Sequence, residues 1–242
     1  VPPFRCAGVV TDIEGTTGSI AFVRDVLFPY ARERLGEFIA ARHDDPEVRR
    51  CLRDAARIAG EPSAGDARLT AILTTWIDED RKATPLKTLQ GLVWADGYER
   101  GELRGHVYPD AVAGLRRWHA AGIALYVYSS GSIAAQKLLF GHSDAGDLTP
   151  LFTDYFDTTS GPKTDAGAYV RIAATIGAAP ADLLFLSDRE AELVAAATAG
   201  WQVGCLARPA DSPPGMTSAF PTFASFDEIA LVAVAPSAAG PS

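Results

Sequence analysis

Histidine, cysteine and methionine are scarce in this chain of 242 residues, which has four His, three Cys and one Met. Cys6, Cys51 and Cys205 are odd in number and none lies at metal-ligand spacing from another. That argues against a disulfide framework or a cysteine-bound zinc, and predicts buried free thiols in a reducing compartment. No run approaches the roughly 18 apolar residues of a membrane span, so no membrane partner is expected. The opening "VPPFRCAGVV" lacks a long apolar segment, so no signal peptide is expected, and the absence of a starting Met reads as a processed or trimmed start. Basic residues are outnumbered, 22 Lys and Arg against 30 Asp and Glu, for a net charge of −8. Nonspecific nucleic-acid binding needs a basic surface and is not expected. An anionic substrate stays open, because a local cation can reverse the field at one site. No internal repeat is visible. A hydrophobic share of 48% against 21% charged residues describes a globular protein, and the length suits one large domain or a core with a smaller insert. A cytoplasmic monomer is the expectation.

The texture changes twice along the chain. Cys6–Thr11 is a short apolar run that reads as a buried strand. From about Ser19 to Gly105 the apolar spacing is helical, with Phe22, Val26, Leu27 and Tyr30 in one stripe and Leu69, Ile72, Leu73, Trp76 and Ile77 in another. Asp45 before Pro46 and Thr84 before Pro85 are start signals for two of about four helices. Beyond residue 105, strands and helices alternate. "IALYVY" (123–128), "YFD" (155–157), "DLLFLSD" (182–188) and "QVGCLA" read as strands, with helices between them. That alternation predicts an α/β fold, a mainly parallel sheet covered on both faces and interrupted early by a helical insert. The boundaries expected are 1–18 with 106–230 for the core, 19–105 for the insert, and a frayed tail over 231–242.

Polar groups collect at three strand ends. "VVTDIEGTTG" (9–18) ends an apolar run on Asp12 and Glu14, two residues apart and so on one side of an extended chain. Two such carboxylates repel unless a proton or cation intervenes; Mg²⁺ would suit them, with Asp188 as a third oxygen donor. The plainer alternative is a turn-capping Asp12 and a solvated Glu14. Ser129–Ser132 ("SSGS") could cradle an anion on its hydroxyls and amides before a helix, or be a routine strand-to-helix turn. Lys163 could hold a phosphate against the carboxylates, or be a solvated lysine. Asp188 and Glu192 lie one helical turn apart, where two carboxylates also favour a helix N-terminus. No His lies within these motifs; His142 in "FGHS" reads as structural.

In this order and spacing, Asp-x-Glu-Gly-Thr-Thr, the Ser-Ser-Gly-Ser turn, the lysine and "FLSD" resemble the haloacid dehalogenase superfamily. "DIEGTTGSIAFVRDVLFPYARE", "LQGLVW", "YSSGSIAAQKLLFGHS" and "FDTTSGPK" are similar to its enolase-phosphatase family, also called acireductone synthase, over nearly the whole chain. The resemblance implies a Rossmann-like core with an inserted all-helical cap, and one Mg²⁺ per chain. It implies action on 2,3-diketo-5-methylthiopentyl 1-phosphate in methionine salvage, by enolisation and then removal of phosphate, to give the acireductone 1,2-dihydroxy-3-keto-5-methylthiopentene.

By the same resemblance Asp12 is the nucleophile and a metal ligand, and Glu14 is the acid that protonates the leaving oxygen, activates water and also contacts the metal. Ser129, Ser130 and Lys163 bind the substrate, Asp188 is a metal ligand, and Glu192 supports the site from behind. Two departures stand out: Pro162 occupies a position where many relatives have His or a small residue, and "SDREAEL" has one acid where an Asp pair is usual. Lys87, Gln90 and Trp94 of the cap could cover the methylthio end, or be ordinary packing. A generic phosphatase, a metal-free dehalogenase and a non-catalytic binding module are the competing readings; Glu14 speaks against the dehalogenase.

Overall fold

The computed structural model describes residues 2–213 and 217–237. These residues pack as two compact units, one formed by Val1–Ile20 with Arg104–Ser242 and the other by Ala21–Leu103.

The first unit is built on a six-stranded sheet. Its strands are β2 (Gly8–Thr11), β3 (Ala124–Tyr128), β4 (Asp154–Phe156), β5 (Leu183–Ser187), β6 (Gln202–Leu206) and β7 (Thr222–Phe223), in the order β4-β3-β2-β5-β6-β7. Every pairing is parallel. β2 and β5 are buried at every residue, which is why they read as unbroken apolar runs rather than alternating ones. On one face Val10, Tyr126, Tyr128, Phe185, Val203 and Cys205 pack against Tyr169 and Ile172 of helix α8 (Ala166–Ile176) and Leu193 and Ala196 of α9 (Glu190–Thr198). Strand alternation sends Val9, Leu125, Val127, Leu184 and Leu186 to the other face, where they are equally buried. Helix α6 (Pro109–Ala120) packs against β3, and its Trp118 stacks on Phe226. The expected mainly parallel α/β core is therefore present. All three cysteines are buried and unbridged.

Two expectations need correction. The apolar run from Cys6 to Thr11 is two strands, β1 (Phe4–Cys6) and β2, broken at Ala7. β1 pairs in parallel with β8 (Leu231–Ala233) in a separate two-stranded sheet. The frayed tail expected from residue 231 therefore begins as a strand, because Phe4, Arg5 and Cys6 offer it a free edge and Val234 N–H continues the pairing onto the Cys6 carbonyl. Ser237 is also tied, its N–H donating to Asp182. The rest of that expected tail, residues 238–242, lies outside the described residues.

The second unit is helical throughout. Ile20–Phe22 (α1), a π-helical turn at Val23–Leu27 and α2 (Phe28–Ala41) follow one another, then α3 (Pro46–Ala59), α4 (Asp66–Asp78) and α5 (Thr84–Glu99). Asp45 caps α3, accepting from the N–H groups of Glu47 and Val48. Thr84 is not a cap: α5 begins at it, with Ala83 in the cap position and no side-chain bond. Pro85 in the first turn still supplies a preset φ there. The unit has its own core, including Leu35, Ile39, Leu52, Leu73, Trp76 and Leu89. Gln90 is buried and Lys87 exposed. The Trp94 indole donates to the Leu27 carbonyl of the π turn at 2.8 Å and meets Phe28 edge-on. Among the described residues no helix is long and apolar enough to cross a membrane.

Candidate active site

The site lies at the C-terminal ends of the central strands. β2 runs between β3 and β5, with Thr11 opposite Val127 on one side and Leu186 on the other. Extending that register by one residue sets Asp12 beside Tyr128 and Ser187, and the next residues out are Ser129 and Asp188. β3 and β5 leave β2 in opposite directions across the sheet, which opens a crevice at this point.

Asp12 is 5% exposed. Its N–H donates to the Leu186 carbonyl, continuing the β2–β5 pairing one residue beyond β2. Its Oδ1 accepts from Ile13 N–H at 2.7 Å and lies 2.7 Å from Lys163 Nζ. The chain then turns sharply: the N–H groups of Thr16, Thr17 and Gly18 all donate to the Ile13 carbonyl. Thr17 and Thr11 direct their hydroxyls onto the Asp12 carbonyl at 3.1 and 3.0 Å. Gly15 has φ +68°, and a Cβ there would sit 2.6 Å from Asp188 Oδ2. Glycine is needed twice over, for the left-handed turn and for the approach of Asp188.

Lys163 is not a surface lysine. It is 8% exposed and bridges Asp12 and Glu192, at 2.6 Å from Glu192 Oε2. Its loop is pinned from three sides: Tyr169 donates to the Lys163 carbonyl, Tyr128 to that of Gly161 and Arg171 to that of Ser160. Burial pulls the ammonium's pKa down, but Asp12 and Glu192 outweigh it and hold the group above its ordinary value. It is therefore a fixed cation. Glu192 touches the lysine directly and is held there by the Ser187 hydroxyl, from which it accepts at 2.9 Å.

Asp188 is pushed up to about 7, by burial first and then by Asp12 and Glu192. Three carboxylates face the Lys163 ammonium here and Arg189 also acts on Asp188, so when all are ionised the cluster still has a deficit of positive charge. That deficit and the hard oxygen donors match a divalent cation such as Mg²⁺, which commonly takes one or two carboxylates together with water and substrate phosphate. Asp12 and Asp188 would hold it. Among the described residues no three His, Cys, Asp or Glu side chains form a metal-holding group. The Glu14 side chain, half-buried on a segment bridged to Gly18, thus does not complete a three-carboxylate set with Asp12 and Asp188.

At the end of β3, Ser129 is buried and Ser130 exposed. Ser129 Oγ accepts from Gly131 N–H, and Ser132 caps α7 (Ile133–Gly141). Gln136, absent from the expected residues, braces this turn from beneath by donating to the carbonyls of Gly131 and Phe156. Its only sequence signal is its place four residues after Ser132, on the buried side of a helix.

Comparison with known proteins agrees with this architecture. Residues 6–200 match the model of the haloacid dehalogenase-like hydrolase family. The chain is 56% identical to an enolase-phosphatase E1 of Pseudomonas aeruginosa over 92% of its own length and 97% of the relative's. It is 55% identical to one of Azotobacter vinelandii over 91% and 96%. Among solved structures, the UTR4 protein of Saccharomyces cerevisiae superposes with a TM-score of 0.78 at 34% identity, covering 93% of this chain and 100% of that one. An L-2-haloacid dehalogenase of Xanthobacter autotrophicus, at 19% identity and a TM-score of 0.54 over 92% and 96%, shares the fold.

Proposed function

The chain belongs to the haloacid dehalogenase-like hydrolases and, among them, to the enolase-phosphatases, and on that premise we propose how its own residues carry out the reaction. The substrate is the small phosphate ester 2,3-diketo-5-methylthiopentyl 1-phosphate, and the products are the acireductone and phosphate. We assign it to methionine salvage, as a cytoplasmic monomer dependent on one Mg²⁺, with no nucleic-acid or membrane partner.

The observation that supports this most is the Asp12–Lys163–Glu192 bridge, with separations of 2.7 and 2.6 Å, at the buried strand ends. A nucleophilic carboxylate must stay ionised and aimed. Lys163 and Ile13 N–H both engage Oδ1, which leaves Oδ2 to attack phosphorus. The Asp12 Oδ2–P bond forms as the bond from phosphorus to the substrate oxygen breaks, giving an aspartyl-phosphate. Glu14 gives its proton to the departing oxygen. It then takes a proton from the water that attacks the phosphorus and releases Asp12. Lys163, the Ser130 N–H and the Ser129 and Ser130 hydroxyls bind the phosphoryl oxygens and offset their charge. A bound Mg²⁺ would neutralise phosphate charge and polarise the substrate's carbonyl oxygen. The fixed Lys163 offsets part of the charge of the nearby carboxylates, and a bound divalent cation would offset more, which lessens their repulsion of the anionic ester. We place Lys87, Gln90 and Trp94 in the cap unit without assigning them a chemical step.

The test is rapid acid quench during turnover, followed by mass mapping of the peptides. A phosphoryl increment on the peptide carrying Asp12, absent from Asp12→Asn, is expected. Turnover with no adduct, or with an adduct elsewhere, would sink the nucleophile assignment.

A further inference from the structure

Arg208 is 3% exposed and lies two residues beyond β6, which is separated from β2 in the sheet by β5. Its Nε and Nη2 both donate to one acceptor, the carbonyl of Thr16, at 2.9 and 2.7 Å. Its Nη1 donates to Asp110 Oδ2 at 2.5 Å and to the Ala224 carbonyl at 3.4 Å. The guanidinium is covered by Tyr108 and Phe226, with ring centroids 4.6 and 5.1 Å away. Asp110 sits in the first turn of α6 and is itself fixed by Phe226 N–H and the Ser225 hydroxyl.

Burying a guanidinium is costly unless it is paired and fully bonded. Here two of its donors, Nε and Nη2, are spent on a single main-chain oxygen in the turn that follows Asp12. The next residue, Thr17, directs its hydroxyl back onto the Asp12 carbonyl. Resting on the reading of Asp12 as nucleophile, we propose that Arg208, neutralised by Asp110, is a positioning residue for the reaction. It fixes the Thr16–Thr17 peptide, Thr17 fixes the Asp12 main chain, and Ile13 N–H then sets the carboxylate. Removing the fork leaves the Asp12 carboxylate in place but misaims it.

The geometry sets the substitutions. Arg208→Lys keeps the charge beside Asp110 but has no planar fork to close on the Thr16 carbonyl. Thr17→Val removes the hydroxyl link to the Asp12 carbonyl, together with its longer contact to the Ile13 carbonyl at 3.4 Å, and keeps the side chain's shape. Both are compared with wild type as Mg²⁺-loaded full chains, in single-turnover cleavage of the diketo phosphate, with substrate affinity and thermal unfolding measured alongside. The cleavage rate is expected to fall about 10- to 100-fold in each, with substrate affinity changed by no more than about twofold. The double variant should be no slower than the worse single variant, because both lie on one chain of contacts. Full-speed Arg208→Lys with a lowered unfolding temperature would overturn the proposal and leave Arg208 a fold anchor. So would losses that multiply in the double variant. If Arg208→Lys does not fold, Thr17→Val decides alone, and an unchanged cleavage rate overturns the chain of contacts. A wild type that cleaves no phosphate ester removes the enolase-phosphatase reading, and this proposal with it; an active wild type with unaffected variants removes this proposal only.

Discussion

Asp12 shows how much of the site a single residue's neighbours decide. Its position at the end of "VVTD" and the lysine at 163 were both legible, one from an apolar run ending on an acid, the other from a family motif. What was not legible is that Lys163 is buried between two carboxylates, since burial depends on Tyr128, Tyr169 and Glu192, which are far apart in sequence. Arg208 had no local signal at all: it is one arginine in "LARPAD", and its acceptor is 192 residues away. Two predictions belong to this scale. Lys163→Met leaves Asp12, Asp188 and Glu192 facing one another, so stability should drop by about 3 kcal/mol or more in urea unfolding with a chelator present, and phosphate release should be lost. Gly15→Ala forces a Cβ onto Asp188 at a positive φ; it should cost about 1–3 kcal/mol and reduce turnover, measured by the same unfolding curves and steady-state kinetics.

Among the elements, those with long periodic or unbroken apolar patterns were readable. α3 announced its start with Asp45-Pro46, and "DLLFLS" announced β5 by having no polar face. The short strands were not. β1 and β8 have three residues each with mixed exposure, and each exists only because the other does, more than two hundred residues away. A pattern reader sees a continuous strand from Cys6 and a small-residue tail from Leu231. Truncation after Ala230 should therefore do more than trim a tail: it strips β1 of its partner and frees the Asp182 carboxylate from Ser237. A lowered unfolding temperature in calorimetry is expected, with near-unchanged kcat at 25 °C, because neither strand touches the site residues. An unchanged melting temperature would mean that β8 adds nothing.

The whole molecule carries a net charge of −8 yet binds an anionic ester. That is possible because Lys163 is fixed at one crevice, where the proposed divalent ion would add its charge, while the acids elsewhere are solvated or paired. The buried Arg208–Asp110 pair links this architecture to pH. Burial raises the Asp110 carboxyl's pKa, but Arg208, Phe226 N–H and Ser225 together outweigh it and hold it below its ordinary 3.8. A depressed carboxylate adds stability that is present above its unfolded pKa and lost as pH falls through the folded one. The stability gap between wild type and Asp110→Asn should therefore be largest above about pH 4 and close on further acidification, as read from urea midpoints across that range.

The most direct measurement follows acireductone absorbance and free phosphate together from 2,3-diketo-5-methylthiopentyl 1-phosphate, with Mg²⁺ or with a chelator, for wild type and Asp12→Asn. Wild type should yield both products only with Mg²⁺, and Asp12→Asn should release no phosphate, with any enol formed accumulating instead. Phosphate released at the wild-type rate by Asp12→Asn, or by wild type in chelator, would contradict the assignment of Asp12 and Asp188. Phosphate released only from other esters would contradict the enolase-phosphatase reading itself.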